Sequence, residues 1–202
     1  MKRFLLLLAL CLLLIQNESF ALLRAGLKGG VNLAKVEADE GDYNYRMKPG
    51  FMAGVMAEIP VSPTGGLAIR TDVLYVQKGA EFTLYNESGK LLTDELVIAP
   101  FLVFRLPIPQ FTPFLQAGPE FGFNTLAKQE RDGSKANIGP YWKDNNVSIN
   151  LGGGINIPAG PSDLTLDFRY NLGIVDVSTG IGDKKTKTNG IQILLGYNFL
   201  KI

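Results

Sequence analysis

The side chains in this sequence best equipped for chemistry are eight charges: Lys28, Arg70, Arg105 and Arg169 with Glu58, Asp72, Glu120 and Asp167. They alternate with residues of an apolar face, most plainly in LDFRYNLGI, where Asp167 and Arg169 are interleaved with Leu166, Phe168 and Tyr170. A carboxylate pair such as Glu58 and Asp72 is the equipment of acid–base catalysis, provided that two environments push their acidities apart. Here the signs balance, four against four, and every acid has a base on the same face. Charges withdrawn from water in that proportion neutralise one another, so the pattern reads as a salt-bridged interior rather than an acid–base site.

Other chemistry is limited. The chain has no histidine, and its single cysteine, Cys11, sits near the start. Ser-His and Cys-His nucleophile systems and histidine-bearing zinc sites are therefore excluded in their usual form. Asp39, Glu40 and Asp42 offer oxygens to a hard cation, but an acidic run in a polar segment reads first as a solvated loop. The GGG at 152–154 is no phosphate cradle, because neither a helix nor a Lys-Ser/Thr follows it; it relieves crowding or lets a strand bend. Lys184, Lys185 and Lys187 are placed to touch lipid-sugar phosphates, with a solvated loop as the plainer reading. A net charge of +1 without a basic stripe points away from nucleic acid. No catalytic residue, metal or cofactor is expected.

The elements that must hold those charges repeat every two residues, the period of a strand. In NGIQILLGYNFLKI, at 189–202, Ile191, Ile193, Leu195, Tyr197 and Phe199 share one face, and Gln192, Gly196 and Asn198 the other. The same alternation recurs at 27–33, 51–59, 67–78, 96–106, 113–123, 147–157 and 164–174. That makes eight strands, each near the ~9–11 residues a tilted strand needs to cross a bilayer. Short Pro- and Gly-rich connections at 62–65, 107–112 and 158–163 alternate with long polar ones at 37–49, 83–93, 125–146 and 176–188. Short turns at one end and long loops at the other mark an up-and-down outer-membrane barrel. The fold class is thus all-β: an eight-stranded antiparallel transmembrane β-barrel with apolar residues facing lipid and polar residues filling the lumen. Phe51, Phe121 and Phe123 at one end, and Phe104, Tyr197 and Phe199 at the other, suit two interfacial girdles. Pro100 and Pro119 fall inside strands that have no free edge, which predicts bulges or bent ladders there.

The start of the chain supplies a route to that membrane. Lys2 and Arg3 precede an apolar run at 4–15, and Ser19 and Ala21 stand three and one before a cut after Ala21. This is the layout of a secretory signal peptide, too short to span as a helix. Residues 1–21 are expected to be the leader and 22–202 the barrel domain. The exported chain would have no cysteine, hence no disulfide.

The segments GLKGGVNLA, GFMAGV, LYVQKGA, IAPFLVFRLP, PFLQAGPEFG, LDFRYNLGI and ILLGYNF run through nearly all of the exported chain. Together, in this order, they resemble the PorT-like outer-membrane β-barrel family, common among Bacteroidetes. The resemblance implies an eight-stranded barrel in the outer membrane and little about function; no residue here carries over a role in secretion.

Three function classes follow. The first is a non-enzymatic barrel, structural or partner-binding, in contact with outer-membrane lipid and offering the loops at 37–49, 83–93, 125–146 and 176–188 to envelope or extracellular partners. The second is a small porin-like channel or secretion-apparatus component, although eight strands leave little open lumen. The third is a soluble lipocalin-like binder, which needs a wide apolar interior.

Overall fold

A computed structural model describes residues 23–38, 44–84, 87–106, 108, 110–131, 134–137, 143–175 and 186–201. The expected leader, residues 1–21, lies outside them. The strands are β1 (Arg24–Ala38), β2 (Asn44–Pro60), β3 (Leu67–Leu84), β4 (Glu87–Arg105), β5 (Thr112–Arg131), β6 (Ser134–Asn137), β7 (Asn145–Ala159), β8 (Ser162–Gly173) and β9 (Thr186–Lys201). All pairings are antiparallel. Eight strands form a closed ring in the order β1-β2-β3-β4-β5-β7-β8-β9, and β9 returns to β1 from Arg24↔Lys201 to Ala38↔Thr186. Short β6 folds back onto the far end of β5 and takes no part in closure. Among the described residues there is no helix.

Alternation turns the large apolar side chains outward. Leu115 and Leu195 are each 67% exposed, whereas Arg70 and Asp167 are 0% exposed. Phe51, Phe121 and Phe123 lie outward toward the end remote from the termini, and Phe104, Tyr197 and Phe199 lie outward near the termini. At the terminal end the turns are tight, with Gly65 and Gly160 both at φ 67°, a left-handed conformation that glycine adopts without a Cβ clash.

The lumen departs from a purely polar filling. Met52, Ala68, Leu74, Val76, Val97, Ala99, Phe101, Val103, Phe114 and Leu194 form a buried apolar cluster, supplied mostly by β3 and β4. On those strands both faces are apolar over several residues, so period two alone does not separate lipid-facing from lumen-facing grease.

The long connections are also shorter than the sequence predicts. β3 and β4 together take up all of 83–93 except residues 85 and 86, and β5 and β6 take much of 125–146. Hydrogen-bonded pairing needs no apolar side chains, so the ladder continues where the outward grease ends. A charged row supports the extension. Arg46 faces Glu81, Glu81 faces Lys90, and Lys90 faces Glu130, across four adjacent strands. The Lys90 ammonium lies 3.4 Å from the Glu81 carboxylate. Directly opposed unlike charges contribute about 0.2–1 kcal/mol per pair.

Of the bulges or bent ladders expected at Pro100 and Pro119, no bulge forms; the disturbance is a lapse in the β4–β5 ladder. Between β4 and β5 the pairing runs to Ile98↔Phe121 and resumes in the same register at Leu102↔Ala117. The two prolines therefore stand opposite one another, in a stretch without cross-strand bridges. The Pro100 carbonyl lies where a Cβ on Gly118 would stand, so the edge of Pro100 that lacks an N–H also faces β5. Both missing donors fall into one gap, and the outer flanks of both strands stay paired, at Thr71↔Pro100 and Pro119↔Ile149. The register shifts occur elsewhere, in β2 between Met47 and Met52, in the β4–β5 pairing beside Asp94, and beside Ala25 in the β1–β9 pairing.

Facing sets the cost of substitution. Leu166→Arg or Ile193→Arg, each at mid-strand on the outer face, is expected to destabilise the barrel in lipid by about 2–4 kcal/mol, measured by denaturant unfolding in vesicles. A variant as stable as the parent would reverse the assignment of faces.

Candidate functional site

The eight charges singled out by spacing all lie inside the ring, none more than 4% exposed. They come from β1, β2, β3, β4, β5 and β8 and join in tiers along the axis. Nearest the termini, Glu58 receives hydrogen bonds from Arg70 at 3.0 Å and from Arg105, with Arg24 at 4.0 Å. In the middle, the Lys28 ammonium donates to Asp72 at 2.8 Å and to Asp167 at 3.0 Å. Arg169 donates to the same two carboxylates, reaching Asp167 at 2.6 Å. Gln116 links the tiers, donating to Asp167 at 2.6 Å while accepting from Arg70 at 3.2 Å.

Glu120 belongs to a third tier, away from the other seven. Its partner is Lys78, whose ammonium lies 2.8 Å from Glu120 and 2.7 Å from Glu95. Asn150 donates to Glu120 at 2.7 Å, and Asn146 donates to Glu95 at 3.1 Å. The count of eight charges leaves out Lys78, which spacing puts on the polar face of its strand, and Glu95, which lies just before the stretch that marks its own. Both carry the right parity, Lys78 with Arg70 and Asp72, and Glu95 with Arg105. Glu95 precedes the apolar stretch that marked its strand, so continuing the two-residue count past that stretch would have found it. Gln116, Asn150 and Gln192, each under 5% exposed, complete the polar filling.

The fit is made by small and flat neighbours. The Glu95 carboxylate occupies the space in which a Cβ on Gly122 would stand. The Arg70 guanidinium lies 4.7 Å from the centre of the Phe114 ring, and that of Arg169 4.5 Å from the centre of Phe101. Aromatic faces attract cations, and the planar guanidinium stacks on them. The apolar cluster and the charge network thus share a boundary, with two arginines bridging it.

Chemically, this arrangement holds charge in place. Each carboxylate of the network is within ion-pair distance of a cation, and removing one member of such a pair strands the other in a medium that solvates it poorly. Asp167→Ala, which deprives Lys28 and Arg169 of a shared partner, is expected to cost about 3–5 kcal/mol in denaturant unfolding. Lys90→Ala, at a pair exposed to 55% and 41%, is expected to cost under about 1 kcal/mol. Equal costs for the two variants would contradict the account of the lumen.

A model of the family described as outer membrane protein beta-barrel domain matches residues 15–179. Among solved structures, Neisserial surface protein A is similar, at 17% identity over 88% of this chain and 97% of that one, with a TM-score of 0.52. The outer membrane protein OprG from Pseudomonas aeruginosa shares 12% identity over 88% of this chain and 94% of that one, with a TM-score of 0.53. Ail, the attachment invasion locus protein of Yersinia pestis, is 15% identical over 87% and 98%, with a TM-score of 0.46. No curated protein matches the sequence.

Proposed function

This chain belongs to the family of outer membrane protein beta-barrel domains, and from that premise we propose a non-enzymatic integral outer-membrane protein, structural or partner-binding, with a closed lumen. The observation that carries the reading is the withdrawal of the central charges from water. The side chains of Lys28, Arg70, Asp72, Asp167 and Arg169 are all 0% exposed. A conducting pore needs a continuous file of water or ligating groups along its axis, and a bonded plug of charges interrupts it.

The absence of catalysis rests on composition and pairing. With no histidine in the chain, a nucleophile would lack its usual base, and the lumen acids are already engaged by cations. The finer kinship, to PorT-like barrels of the Bacteroidetes type, rests on the ordered segments from GLKGGVNLA to ILLGYNF. No residue assigns the chain to a secretion apparatus. A cleaved leader at 1–21, ahead of a barrel domain at 22–202, rests on the basic start, the apolar run and the small residues before the cut. Contact with extracellular partners falls to the far end of the barrel, at 37–49, 83–93, 125–146 and 176–188. In those segments strand ladders now supply part of the surface.

Reconstituted into planar bilayers, the protein is expected to give no steady openings. Large, stable single-channel currents would replace this reading with the small channel. The membrane-extracted protein is expected to migrate faster unboiled than boiled, and its N-terminal sequence to begin at Leu22. Recovery in the periplasm without detergent would favour a soluble binder.

A further inference from the structure

We propose that two neighbouring connections at the terminal end, 60–66 and 106–111, are seated in the periplasmic leaflet of the membrane, with Val61, Leu106, Ile108 and Phe111 lodged among lipid where acyl chains meet headgroups. This rests on the reading of the chain as an integral outer-membrane protein, whose short turns face the periplasm. The first observation is composition. Segments 59–69 and 106–119 contain no Asp, Glu, Lys, Arg or Asn, whereas every long connection at the far end carries charges. Turns that meet water draw freely on Asp and Asn. Here exposed apolar side chains stand instead, Val61 at 48%, Leu106 at 56%, Ile108 at 41% and Phe111 at 40%.

The second is the state of the backbone. Main-chain polar groups that leave water must find partners within the protein. Val61 and Ser62 both donate to the Leu67 carbonyl, Gly65 donates to that of Ser62, and the Ser62 hydroxyl accepts from the Leu67 N–H at 2.9 Å. Arg105 donates to the Gly66 carbonyl at 2.7 Å, which ties the two connections together, and Leu106 donates to Pro113 at 3.0 Å. Pro60, Pro63, Pro107, Pro109 and Pro113 have no N–H to satisfy. Turns without charge and with few free donors lose little by leaving water.

The third is depth. Val61, Leu106 and Phe111 prolong the outward rows of Ile59, Phe104 and Leu115, so the lipid-facing band runs past the strand ends without a charged residue to stop it. Phe111 and Phe123 are twelve positions apart. A rise of about 3.3 Å per residue and a tilt of about 40° convert that into roughly 30 Å along the membrane normal, the thickness of the hydrocarbon core. With Phe123 at the outer boundary, Phe111 falls at the inner one and Ile108 just past it. The opposite side of the ring ends differently, on Arg24 and Lys201, paired across β1 and β9. The side from β2 to β5 is therefore the one that sits deep.

Residues 22–202 contain no cysteine, so single cysteines report the seating. Ile108→Cys, Phe111→Cys, Leu195→Cys and Lys128→Cys are each labelled in urea with an environment-sensitive fluorophore and folded into phosphatidylcholine vesicles. Folding is checked by the migration of unboiled sample, and Val61→Cys replaces either turn variant if it does not fold. Emission is quenched by a phospholipid bearing a nitroxide high on its acyl chain, or by iodide present on both sides of the membrane. Leu195, outward at mid-barrel, is expected to respond to the lipid, and Lys128, exposed at the far end, to iodide. Ile108 and Phe111 are expected to follow Leu195, with a ratio of lipid to iodide quenching at least five-fold above that at Lys128. Iodide quenching there equal to that at Lys128, beside lipid quenching at Leu195, would overturn the proposal and leave the apolar turns to a periplasmic protein. Iodide quenching at Leu195 as well would overturn the membrane reading itself, and this proposal with it. The vesicles hold no other protein, so shielding of the turns can come only from lipid.

Discussion

A strand that enters hydrocarbon must satisfy every backbone N–H and C=O without help from water, and the cheapest way to do so is to join the last strand to the first. The β1–β9 ladder performs that closure over fifteen cross-strand positions, from Arg24↔Lys201 to Ala38↔Thr186. Once the ring is closed, alternation leaves each residue two choices, lipid or lumen, and the rest of the structure follows from how that choice is filled. The prolines show how strict the requirement is. Two residues without a donor are tolerated because they share one gap, so the ladder is interrupted once rather than twice.

Closing eight strands also sets the scale of the interior, which is only wide enough for side chains to fill it. Lysine, arginine and carboxylate groups in such a space lose their water and must recover it from one another. The tiers do so with a division of labour. Carboxylates are shared, Asp72 and Asp167 between Lys28 and Arg169, and Lys78 is shared between Glu95 and Glu120. The amides of Gln116 and Asn150 donate to further oxygens of Asp167 and Glu120, and Gly122 leaves room for the Glu95 carboxylate. A network of this kind stiffens a barrel and fills its bore.

That outer end is more ordered than its composition suggests. Segments that look like loops, because their outward residues are polar, continue as paired strands under a row of alternating charges from Arg46 to Glu130. The far end of the barrel is therefore in part a sheet, with fixed spacing between its charged groups. Fixed groups lose less entropy on binding than mobile ones do.

Much of this was legible in the chain. Period two with grease on one face and glycine, amides and balanced charges on the other determined an all-β barrel, the direction of each face and the eight lumen charges, because a strand side chain has only two directions to take. Where both faces are apolar, as at Val97, Ala99, Phe101 and Val103, the pattern lost its contrast and the inner cluster went unseen. Where the outward residues turn polar, it lost the strand altogether, and with it Glu95 and the extension beyond the bilayer. Only the tertiary structure decided which charges meet. Pairs such as Lys28 with Asp167 lie 139 residues apart, and the register of a closed ring, a property of all eight strands together, brings them side by side. The same register set Pro100 against Pro119, a coincidence that neither proline's own neighbours in the chain could announce.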